Sequence, residues 1–300
     1  MIKHIIAIIA CAAFWGGFIT GQSAFASDIY YKNNNPDLLD INIKCTNTKM
    51  TKIFSCMTFA SMKYNWNDGV TIQDKFVRSG KLAYVFENAP GECGWNDGWS
   101  DCDKDRERTE LSMTQFAENG PKWVKFSIRV PSDTKCTPGV SCSLWQLHTK
   151  QAGPAYMLRW KHDSLMLTDF PNNDDYYGAP KEHTITTKFN ELKDQWLDFV
   201  VYIEQYDKPK KGKLIVWLNG EKVIDHYGYR RLESGKNNYM KFGIYKTYVS
   251  RAMEEREPMS VYFDSITLGY DCKSLNVKKE GYDCKNFQID GWQPRHLIVQ

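Results

Sequence analysis

Two-residue alternation of apolar and polar side chains recurs along this chain, and it limits the available folds more than any other feature. Residues 239–246 carry the clearest case. Met240, Phe242 and Ile244 fall on one side of an extended strand and suit a core, while Tyr239, Lys241, Gly243 and Tyr245 fall on the other. Two phenols and an ammonium on an outward face suit the floor of a cleft for an anionic, ring-shaped ligand, and taken alone they suit a solvated sheet face with ordinary tyrosines as well. In the cleft reading Gly243 leaves room for the ligand.

The same period governs 123–130, where Val124, Phe126, Ile128 and Val130 alternate with Lys125, Ser127 and Arg129, and Pro131 ends the run. It returns at 195–204 and 261–268. Residues 213–225 read as a hairpin turning at Asn219-Gly220, a pair suited to a turn in which both central positions need positive φ. Further strands at 81–87, 106–111, 144–148, 156–160 and 164–170 bring the total to about ten, with almost no helical periodicity. The expected fold class is all-β, two stacked antiparallel sheets in a β-sandwich.

The first residues belong to something else. A basic start, an apolar run from Ile5 to about Phe18 and a small-x-small pattern at Ala24-Phe25-Ala26 predict a signal peptide over 1–26. The run is too short to span a bilayer. Cleavage before Cys11, as in a lipoprotein, would leave a very short signal. The chain then divides into an N-terminal arm at 27–69, a β-domain at 70–270 and a tail at 271–300. Of nine cysteines, Cys11 falls in the apolar run. Eight remain, an even number that in an exported chain implies disulfides. Spacing suggests four local pairs, Cys45–Cys56, Cys93–Cys102, Cys136–Cys142 and Cys272–Cys284, among the 105 pairings eight cysteines permit. These features predict a secreted or periplasmic protein, working as a monomer. Close CxxC pairs and a Cys/His cluster are absent from the sequence, so no metal centre is expected. A net charge of +3 is far from the excess of a nucleic-acid binder.

Two other stretches can join the 239–246 strand in a groove. In 106–111, Arg106, Arg108 and Glu110 share a face; in 144–148, Gln146 and His148 share one with Leu144, while Trp145 and Leu147 point to the core. The three motifs, Arg108-Thr-Glu-Leu, Gln146-Leu-His148 and the Tyr239–Lys246 run, resemble in kind and order those of the jelly-roll polysaccharide lyases: heparin lyase I, glucuronan lyase and family 7 alginate lyase. The resemblance extends from about Val70 to Leu268. It implies a jelly roll with a concave substrate groove, an acidic polysaccharide substrate and cleavage by β-elimination without a required cofactor. It also leaves room for a structural calcium, with Asp264 as the candidate ligand, although a solvated carboxylate is the simpler reading of that residue.

Elimination sets three tasks. The uronate carboxylate must be neutralised to stabilise the developing enolate, its neighbouring proton must be taken, and the departing glycosidic oxygen must receive a proton. The resemblance assigns Arg108, Gln146, His148 and Tyr245 to these tasks. A guanidinium can fork onto a carboxylate, and an amide can add a donor. A neutral imidazole, with an ordinary pKa of about 6.5, can serve as base. A phenol can serve as acid, or as base if cations such as Lys241 lower its pKa. Glu110 suits a salt bridge that orients Arg108. Arg106, Lys241, Tyr239 and Lys246 are candidate substrate-binding residues. His162, His183, His226 and His296 have no motif around them.

Two rival classes are weighed against this. A glycoside hydrolase needs two converging carboxylates, but Glu107 and Glu110 face opposite ways, and Asp198 and Glu204 are six residues apart along one strand. A lectin or carbohydrate-binding module could use the aromatic groove without needing His148 and Tyr245 together.

Overall fold

The computed structural model describes residues 69–93, 95–96, 99–112, 123–149, 153–170, 180–204, 212–228 and 238–289. The signal peptide, the arm and the Cys45–Cys56 pair lie outside the described residues. The strands are β1 (Val70–Gln73), β2 (Ala83–Asn88), β3 (Trp95–Asn96), β4 (Trp99–Ser100) and β5 (Arg106–Ser112). Next come β6 (Trp123–Arg129), β7 (Ser141–Thr149), β8 (Gly153–Lys161), β9 (Ser164–Asp169) and β10 (Lys181–Thr186). The last are β11 (Leu197–Glu204), β12 (Gly212–Leu218), β13 (Glu221–Gly228), β14 (Asn238–Thr247) and β15 (Met259–Gly269).

Two antiparallel sheets stack in a jelly-roll sandwich. One has seven strands in the order β1-β2-β15-β6-β11-β12-β13, the other six in the order β10-β9-β8-β7-β14-β5. Alternation decides which side chains lie between them. Val124, Phe126 and Ile128 of β6 meet Trp145 and Leu147 of β7 and Met240, Phe242 and Ile244 of β14 in one buried cluster. Phe126 stacks 5.1 Å from Phe199 and 5.8 Å from Trp145, offset pairs that each add about 0.5–1.5 kcal/mol beyond their area. Asn219 (φ 50°) and Gly220 (φ 83°) make the tight turn between β12 and β13 that the sequence predicts.

The outer face of the seven-stranded sheet is also covered. A C-terminal segment lays Leu275, Val277 and Phe287 over Trp123, Val200, Tyr202, Ile215 and Trp217. Lys125, on the polar side of its strand, is buried against Glu280 at 2.7 Å. Asp198 is held there by Arg78, Ser127 and Tyr282, on the sheet opposite the cleft described below, and so is unavailable for a hydrolase pair. Asp264 is not solvated either. It is buried and accepts backbone N–H donors from Arg78, Ser79 and Ser265. Burial still pushes its carboxyl up to about 6 against those three bonds. Its role is to fasten the 78–79 turn to β15.

Three of the expected disulfides are formed, Cys93–Cys102, Cys136–Cys142 and Cys272–Cys284. Among the described residues, no helix is long and apolar enough to cross a membrane.

Candidate active site

The three motif stretches become three adjacent strands, with β14 hydrogen-bonded to β5 on one side and β7 on the other. Directly opposed residues of antiparallel strands face the same way. Along β14 the outward row therefore reads Tyr239 beside His148, Lys241 beside Gln146, Gly243 beside Glu110, Tyr245 beside Arg108 and Thr247 beside Arg106. These strands floor a cleft of about 830 Å³ on the outer face of the six-stranded sheet. Arg106, Arg108, Gln146, His148, Lys241 and Tyr245 all line it. Lys104, Arg159 and Arg251 line it too, so among the described residues six cations border the cleft against one carboxylate, Asp105.

Several predicted details change. Lys246 does not reach the cleft. It is on the opposite side of β14, where its ammonium donates to the Asn88 carbonyl at 2.9 Å and pairs with Glu107 at 3.3 Å. The residue after a cleft-facing tyrosine must point the other way, and here a buried acid awaits it. Leu144 turns into the core at a register shift between Ser143 and Trp145, leaving Ser143 opposite Tyr245. Gly243 does not make room for a ligand. It has φ 132° at a bulge between β14 and β7, and a Cβ there would lie 2.3 Å from the Thr109 carbonyl oxygen and 2.7 Å from the Phe86 ring. Tyr239 stacks on His148 with ring centroids 4.9 Å apart, flanking the imidazole.

Arg108 is more committed than a free fork. Its Nε and Nη2 donate to the two carboxylate oxygens of Asp101 at 2.8 and 2.9 Å, and Nη1 donates to Glu110 Oε2 at 3.2 Å. The guanidinium also lies 4.1 Å from the centre of the Tyr245 ring. Burial works against this charge, but Glu110 and Asp101 outweigh it and hold Arg108 more firmly protonated than usual. Gln146 Nε2 donates to Glu110 Oε1 at 2.5 Å. Burial pushes the Glu110 carboxyl up, opposed by Lys241 and Arg108. Lys241, 3.9 Å from Glu110, is pushed down to about 8, by burial first and by Arg108 second.

The Tyr245 phenol is raised, not lowered. Burial dominates, and the cations opposing it are Arg108 and Arg106. Sequence reasoning missed Lys104, Arg159 and Arg251 around the cleft and, behind it, Asp101. Asp101 is fully buried beside Cys102, in a loop with no periodicity, and the only signal was that a disulfide-closed loop leads straight into the Arg106–Ser112 strand.

A family model described as polysaccharide lyase matches residues 51–267. No curated protein sequence matches the chain. Among solved structures, an endo-β-1,4-glucuronan lyase from the fungus Trichoderma reesei superposes with a TM-score of 0.52 at 15% identity, covering 70% of this chain and 91% of that one. An alginate lyase from Pseudomonas aeruginosa gives a TM-score of 0.46 at 15% identity, covering 67% and 86%. At that identity the Trichoderma likeness speaks to the fold alone; the family model spans most of the sandwich and all three strands that floor the cleft, and on that ground the chain belongs to the polysaccharide lyase family.

Proposed function

We propose that this lyase is exported and cleaves a uronic-acid-containing polysaccharide by β-elimination in the cleft floored by β5, β7 and β14. The observation that carries the reading is the charge balance around Glu110. Among the described residues, Arg106, Arg108 and Lys241 stand with two carboxylates, Asp101 and Glu110, one positive charge in excess in a largely buried setting. A uronate carboxylate docked there compensates that charge and is itself neutralised, which acidifies the adjacent C–H. Arg106 is bonded through its backbone to Asp101, but among the described residues its guanidinium has no hydrogen bond or ion pair, so those side-chain donors are available to substrate. Arg108 and Gln146, bound to Glu110, form the fixed wall behind.

The acid and base follow from the environments. Burial keeps the Tyr245 phenol protonated at neutral pH, which suits donation to the departing glycosidic oxygen. His148, which lines the same cleft from β7, is assigned as the base that removes the proton beside the carboxylate. The C–H and C–O bonds break, a C=C bond forms, and the proton taken by His148 is exchanged with water while Tyr245 is reprotonated. The three disulfides fit an oxidising compartment outside the cytoplasm.

The test is a panel of glucuronan, alginate and heparin-type chains, with the ultraviolet absorbance of unsaturated uronate products as readout. Rising absorbance with one of them supports the reading. Chain shortening without absorbance would replace elimination with hydrolysis.

A further inference from the structure

A β-sandwich interior is ordinarily apolar, yet three inward positions at one lateral seam hold His, His and Asp. Asp169 ends β9 and lies opposite Tyr156; His183 on β10 lies opposite Leu167; His226 on β13 lies opposite Leu214. Each partner is a core residue, so by antiparallel register all three polar side chains face between the sheets. β10 is the edge of the six-stranded sheet and β13 the edge of the seven-stranded one, and the two edges meet here. The His183 and His226 rings lie 4.6 Å apart, and His226 Nε2 is 3.9 Å from Asp169 Oδ2. One ligand atom from each residue falls within 4.8 Å of the other two, and Asp169 is buried.

We propose that Asp169, His183 and His226 bind a zinc-class divalent cation that ties the two sheets together at their open edge. Two imidazoles and a carboxylate are borderline-soft nitrogen and oxygen donors, a set that suits Zn²⁺ and leaves a fourth position for water. Bonds of about 2.0–2.1 Å would draw the donor atoms to about 3.4 Å apart, a closure of about an ångström that side-chain rotation supplies. The cation would also offset the cost of a buried carboxylate and hold two strands that, among the described residues, have sheet neighbours on one side only. The site faces the interior, whereas the cleft lies on the outer face of the six-stranded sheet, so this proposal stands apart from the elimination chemistry.

The experiment uses tag-free full-length protein stripped with a chelator and titrated with Zn²⁺ by calorimetry, with melting temperature followed in parallel. One equivalent per chain and a melting temperature that climbs with Zn²⁺ are expected. Co²⁺ in its place is expected to give the visible bands of a four-coordinate ion. His183→Ala and His226→Ala are each expected to weaken binding by about a hundredfold or more, since losing a direct ligand costs at least what losing an outer-shell partner does. Should either variant fail to fold, Asp169→Asn, which keeps the side-chain shape, is read in the same way. No saturable binding by the unmodified protein would leave a metal-free His–His–Asp clamp and overturn the proposal, as would binding retained in all three variants.

Discussion

Both sheets bury charged side chains on their outer faces, and the two faces do opposite things. On the seven-stranded sheet, Lys125 meets Glu280, Asp198 meets Arg78, and a C-terminal segment closes over them. On the six-stranded sheet, Arg108, Lys241 and Glu110 are nearly as buried, but among the described residues the cations outnumber the acids and the surface opens into a cleft. Burying ions is expensive in either place. Where each charge has its partner the result is a fastener; where one sign is left over, the face awaits a ligand that supplies the other.

Substitutions can break that contrast, and the largest effect is expected at Tyr245. Tyr245→Phe keeps the ring over Arg108 and removes only the hydroxyl. Elimination is expected to fall by about 10²–10⁴, with oligosaccharide binding held within a few fold. His148→Ala should fall as far, and the double variant little further, because groups acting as a unit are non-additive. Initial rates and affinities for these variants check the assignment; retained turnover in Tyr245→Phe would sink it.

On the covered face the same kind of change should touch stability alone. Lys125→Met strands Glu280 in the interior and is expected to cost about 3–5 kcal/mol in denaturant unfolding, leaving the rate per folded molecule unchanged. A drop in kcat with little loss of stability would mean the two faces are not distinct in the way described.

Arg108→Lys tests how far the wall behind the substrate must be rigid. It keeps the charge but loses the fork onto Asp101, and activity is expected to fall by about a hundredfold. Asp101→Asn should reproduce part of that loss while leaving Arg108 in place. Normal turnover in both would shift carboxylate neutralisation entirely to Arg106 and Lys241.

The smallest effect is a change in pH profile. Lys241, with its pKa lowered to about 8, carries its charge below that pH and loses it above. If the charge matters, kcat/KM, which reports the free enzyme, declines as pH rises through about 8. Lys241→Arg, which stays protonated, should remove that alkaline limb. An unchanged limb in Lys241→Arg would assign the titration to another group.

Alternation made the strands legible wherever one side meets a core, as in β6, β11 and β14. It gave no sign of β10, where Lys181, Glu182 and Thr184 are exposed at a sheet edge and only Ile185 is buried. The floor of the cleft could be read for the same reason as the strands, since Arg108, Gln146, His148, Lys241 and Tyr245 occupy outward parities. Asp101 could not, because a loop has no period. Nor could Leu144 or the reason for Gly243, since a bulge breaks the parity on which that reading depends. Asp169, His183 and His226 are separated in sequence and joined only by the stacking of the sheets, which no local pattern encodes.

β14 has a further consequence, for how this sequence can drift. Its ten residues carry two messages in alternate letters, one addressed to the core through Met240, Phe242 and Ile244 and one to the cleft through Lys241, Tyr245 and Thr247. Such a strand behaves like a reading frame: substitutions corrupt single words, but an inserted or deleted residue exchanges the two messages, placing Phe242 in the cleft and Tyr245 in the core. The bulge at Gly243 sets that frame against β7, while β5 stays in step on the other side. Length variation in this lyase is therefore tolerable in the connections around β14 and intolerable within it.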